Sequence, residues 1–116
     1  MKADNLENGK RIAVTHGELC LIPVTKTPSG VKAEYDTYIA AHSETGHNHV
    51  LTPQTGKLEV IENNGDRYVI IKELTKLWHD KTYDVHESVI IAPGTYKIAE
   101  KTEYNPFKKV IEKVFD

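Results

Sequence analysis

A mainly β domain, a small antiparallel β-sandwich or jelly-roll-like barrel with a short C-terminal α-helix, is the fold class this sequence predicts. Roughly seven or eight short runs are either continuously apolar or alternate apolar with polar residues, which is strand periodicity. Turn signals separate them about every eight to twelve residues, among them Thr27-Pro28-Ser29-Gly30, Asn63-Asn64-Gly65-Asp66 and Pro93-Gly94. Only the last stretch changes period. There Asn105 is a helix N-cap, Pro106 suits the first helical position, and Phe107, Val110, Ile111 and Val114 recur at helical spacing.

Each element has its own warrant. Residues 1–10 are a polar arm, and 11–116 form one domain that includes the helix 106–115. Ile12–Thr15 is a short β run, followed by His16-Gly17-Glu18 as a turn. Leu19–Val24 is apolar throughout and reads as a buried strand, with Pro23 marking an edge or an end. From Val31 the chain alternates: Val31, Ala33, Tyr35, Thr37 and Ile39 fall on one face, which predicts one long half-buried strand. Lys57–Glu62 and Arg67–Lys72 flank Asn64-Gly65, a hairpin signal because both central residues of a type I′ turn need positive φ. Residues 73–78 are compatible with a short helix or a bend. Ser88–Ala92 and Thr95–Tyr104 are two further strands around Pro93-Gly94.

Composition narrows the function classes. The 116 residues carry a formal charge of −2, so no electrostatic footprint for nucleic acid is present. No apolar run approaches the length of a membrane span, and Met1 to Arg11 lacks the apolar segment of a secretion signal. The single Cys20 excludes an internal disulfide; lying in Leu19-Cys20-Leu21-Ile22, it reads as a small buried hydrophobe. No phosphate loop, serine elbow or zinc-protease motif occurs.

The histidines carry what chemistry the sequence offers. His42, His47 and His49 fall within eight residues together with Glu44, and His79 and His86 form a second group; His16 stands apart. Imidazole is the commonest protein metal ligand. If 47–51 is extended, His47 and His49 share a face with Leu51 and line the interior. Two such nitrogens can share one metal, and a tetrahedral site needs one or two further ligands. The expected metal set is therefore His47, His49 and His86, with His42 and His79 as further candidates. Asp80 and Asp84 are placed to orient imidazoles. The alternative is that these are hydrogen-bonded polar residues at a loop and a strand end.

Gly46-His47-Asn48-His49 with the later Pro93-Gly94 resembles the two motifs of the cupin superfamily, metal-binding jelly rolls that include enzymes and binding proteins. Only His47 and His49 match its ligand pattern: Thr52-Pro53-Gln54 stands where cupins place a glutamate, and Thr95-Tyr96-Lys97 where they place a histidine. A fuller resemblance runs through HGELCLIPV, AHSETGHNHVL and LWHDKTYDVHESVIIAPGTYKI to a group of small uncharacterised proteins of bacteria and their phages. It implies no activity, but it does imply a phage or mobile-element setting; with the lone Cys20, the expected location is a bacterial cytoplasm or a virion.

The expected function is thus a non-catalytic accessory or structural protein, a phage virion component, with a histidine-lined site for one transition metal (Zn, Fe, Mn or Ni). Its protein contacts or self-association would use the N-terminal arm and the C-terminal helix, with neither nucleic acid nor membrane as partner. The alternatives are a cupin-like metalloenzyme, with Glu44 as acid or base, and a small-ligand-binding β module.

Overall fold

In the computed structural model, residues 2–42, 48–79 and 88–100 are described, and among them every regular element is a β-strand. In chain order these are β1 (Leu6–Glu7), β2 (Lys10–Arg11), β3 (Val14–His16), β4 (Leu19–Val24), β5 (Val31–Tyr35) and β6 (Tyr38–Ala41). The second half supplies β7 (His49–Pro53), β8 (Leu58–Asn63), β9 (Asp66–Ile71), β10 (Thr75–His79), β11 (Val89–Ile91) and β12 (Gly94–Glu100). All pairings are antiparallel and form a two-stranded sheet β1-β2, a four-stranded sheet β11-β10-β7-β6 and a six-stranded sheet β3-β4-β12-β9-β8-β5.

The two larger sheets share one core. Leu19, Leu21, Leu58, Val60, Val69, Ile71, Tyr96 and Ile98 of the larger sheet join Leu51, Leu77 and Ile91 of the smaller in a single buried cluster. Along β4, β8, β9 and β12 the contributors are spaced by two, because successive side chains leave a strand on opposite faces. The result is a sandwich-like pair of layers. Arg67 ties them on one side: Nη1 donates to the Tyr38 hydroxyl at 2.7 Å and Nη2 to the Ala40 carbonyl at 3.1 Å, joining β9 to β6.

The predicted class needs a correction. The described domain is all-β, in three antiparallel sheets and without a helix, so the β-plus-helix class does not hold for it. The helix expected over 106–115 lies outside the described residues. Among the described residues, the two large sheets share their core through strands alone.

The long alternating strand expected from Val31 is in fact two. The chain leaves the six-stranded sheet after Tyr35 and enters the four-stranded sheet at Tyr38. All five residues of β5 are exposed, so its alternation does not record a buried face. The ambiguous 73–78 segment is largely β10, paired with β7 and β11. At Asn64 and Gly65, φ is +52° and +85°, as a type I′ turn between β8 and β9 requires.

The first residues fold back onto the body. Asn5 is buried; its Nδ2 donates to the Tyr96 hydroxyl at 2.9 Å, and its Oδ1 accepts from the Ala92 amide at 2.7 Å. The Tyr96 hydroxyl donates onward to the Ala92 carbonyl at 2.7 Å. Arg11 lies across the Tyr96 ring, 5.0 Å from its centroid, and donates to the carbonyls of Thr95 and Val24. Gly94, at φ +145°, makes room: a Cβ there would collide with the Arg11 guanidinium.

Candidate functional site

Strand parity gathers three imidazoles at one end of the two layers. On β3, His16 is in phase with the core residue Val14; on β7, His49 is in phase with Leu51; on β10, His79 is in phase with Leu77. His49 and His79 are direct cross-strand partners in the four-stranded sheet. His16 reaches them from the edge strand of the other sheet.

The rings are close. His16 Nδ1 and His49 Nδ1 are 2.7 Å apart. Ring centroids are separated by 4.9 Å for His16–His49, 4.7 Å for His49–His79 and 6.2 Å for His16–His79. His49 is the buried centre of the group at 3% exposure, while His16 and His79 are half-buried. Glu18, from the β3–β4 turn, brings Oε2 to 3.4 Å from His49 Nε2. That turn comes close because residue 17 is glycine. Its φ is +61°, and a Cβ on it would stand 2.9 Å from His49 Cε1 and 3.0 Å from Nε2.

A 2.7 Å Nδ1–Nδ1 contact means that one ring donates while the other accepts. The donors are spaced for a hydrogen bond. Among the described residues, no group of three or more histidine, cysteine or acidic side chains is set out for a metal ion.

Of the residues singled out in the sequence, His49 and His79 come together. His42 is exposed beyond the end of β6. His47, His86, Glu44, Asp80 and Asp84 lie outside the described residues. Sequence reasoning missed His16 and Glu18, which are distant from His49 along the chain. One signal was available: Val14 and His16 are spaced by two, so if Val14 points into the core, so does His16. Reading His16 as turn rather than strand end concealed it. Cys20 is fully buried in β4, away from any exposed surface.

Searches of curated proteins and of solved structures returned no match. A family model described as a domain of unknown function, DUF8820, matches residues 15–101, a span that contains His16, Glu18, His49 and His79. The match covers most of the chain, and the protein belongs to the DUF8820 family.

Proposed function

We propose that this protein is a non-catalytic accessory domain whose two sheets meet at a histidine cluster, His16, His49 and His79, which takes up one transition metal only when the His16–His49 hydrogen bond opens. The carrying observation is that three imidazoles from three strands of both sheets meet around buried His49 with a carboxylate beside it. Ligands drawn from both layers make the ion a cross-link, which is a structural task. Glu18 approaches His49 at Nε2 and His16 approaches it at Nδ1, so the two flank different nitrogens of the ring and do not share one ion.

As they stand the rings are spaced for a hydrogen bond, and a metal would need them to open. Zn–N bonds of about 2.0–2.1 Å at the tetrahedral angle put ring centroids about 5 Å apart and ligand nitrogens about 3.3 Å apart. The centroid separations of 4.7, 4.9 and 6.2 Å bracket the first value. The 2.7 Å nitrogen pair would open by a fraction of an ångström as the shared proton leaves. The virion setting rests on the sequence resemblance alone.

Elemental analysis of tag-free protein, purified without chelator, tests the proposal. About one equivalent of zinc is expected in wild type and little in His49→Ala. Folded wild-type protein that contains no metal and gains no thermal stability from added zinc would overturn it. X-ray absorption at the metal edge counts the protein donors; three plus water would instead favour a metalloenzyme with an open position.

A further inference from the structure

Among the described residues, edge strand β5 is the least protected border of the two large sheets. Natural sheets blunt such edges by short strands, bulges, proline or a covering segment. Edge strand β3 has only three residues, and β6 carries a register shift between Ile39 and Ala41. Edge strand β11 is covered: the Asp4 amide donates to the Ile90 carbonyl at 2.7 Å, and Asp4 Oδ2 accepts from the Ile90 amide at 2.8 Å. By contrast β5 has five residues in regular register with β8, no proline and no shift, and all five are exposed. Val31 is 79% exposed, and Tyr35 is 37% exposed.

Its sequence, Val31-Lys32-Ala33-Glu34-Tyr35, is complementary to itself when reversed. We propose that β5 pairs antiparallel with β5 of a second copy of this chain, about a two-fold axis at Ala33, to make one continuous sheet. In that register Lys32 faces Glu34 of the partner copy, and Glu34 faces its Lys32, two opposite-charge cross-strand pairs. Val31 meets Tyr35 of the other copy on the opposite face, covering the most exposed apolar side chain among the described residues. The contact is isologous, so it closes as a dimer and does not propagate into a filament. A five-residue strand pair is small beside stable interfaces, so the association is weak and concentration-dependent.

Sedimentation velocity across a concentration series up to about 1 mM tests this, since a contact this small corresponds to weak affinity. Wild type is expected to pass from monomer to dimer. Lys32→Glu and Glu34→Lys, each checked for an unchanged fold by circular dichroism and melting, put like charges opposite each other. Each is expected to weaken dimerisation roughly tenfold or more. An equimolar mixture of the two restores both opposite-charge pairs and is expected to form a heterodimer. A wild type that stays monomeric throughout would overturn the proposal. So would a dimer indifferent to both charge reversals, or a mixture in which no heterodimer forms.

Discussion

His16 and His49 are 33 residues apart in sequence and belong to different sheets, yet their Nδ1 atoms are 2.7 Å apart. That contact joins the end of β3 to the start of β7. A metal at this point would act on the stability of the whole sandwich, because it would hold two layers rather than one loop.

Zinc should therefore raise the melting temperature of wild-type protein. At a hundredfold excess over its dissociation constant, a ligand specific for the native state adds about 2.7 kcal/mol. His16→Ala and His49→Ala should abolish the gain, whereas exposed His42→Ala should retain it. Thermal scans with and without zinc measure all four proteins.

Gly17 and Gly56 form a matched pair. Both have positive φ, +61° and +71°, but a Cβ at Gly56 meets nothing within 4 Å, whereas at Gly17 it presses on the His49 ring. Gly56→Ala should cost about 1 kcal/mol, the backbone penalty alone. Gly17→Ala should cost about 1–3 kcal/mol more, as overpacking against a buried ring does, and should lower zinc affinity. Denaturant titration of the two variants gives the difference.

Asn5 donates to Tyr96 and accepts from the Ala92 amide in a buried network. Asn5→Ala leaves that amide without its partner, and the expected loss is about 1–3 kcal/mol. If the N-terminal hairpin were merely a surface arm, the same substitution would have almost no effect on the urea midpoint.

Burial raises the Tyr96 phenol above its ordinary range, with the Asn5 hydrogen bond and the Arg11 charge partly offsetting the rise. An unfolded tyrosine ionises near pH 10, below the folded group, so the unfolded state loses its proton first. The stability that Tyr96 contributes is thus constant below about pH 10 and is lost as pH rises through the folded value. The stability gap between wild type and Tyr96→Phe should be flat from neutral pH to about 9, then shift against wild type above 10. Urea titrations across that range check the sign.

Local rules worked where the deciding forces were local. The Asn64-Gly65 hairpin, the Leu19–Val24 strand and buried Cys20 were all legible, because turn chemistry and continuous apolarity act within a few residues. The alternation from Val31 misled, since the same period describes a half-buried strand and an exposed edge. Whether a second layer lies over it is not a local property.

The candidate site divides in the same way. The sequence alone determined that the chain is β-rich and that five of its six histidines fall in two groups. Tertiary structure decided that β7 and β10 pair, with His79 opposite His49, and that β3 of the other sheet brings His16 and Glu18 to the same point. The physical reason is that strand parity sets which face a side chain takes. Which strands lie side by side, and which ends of two layers meet, is set by packing one shared core.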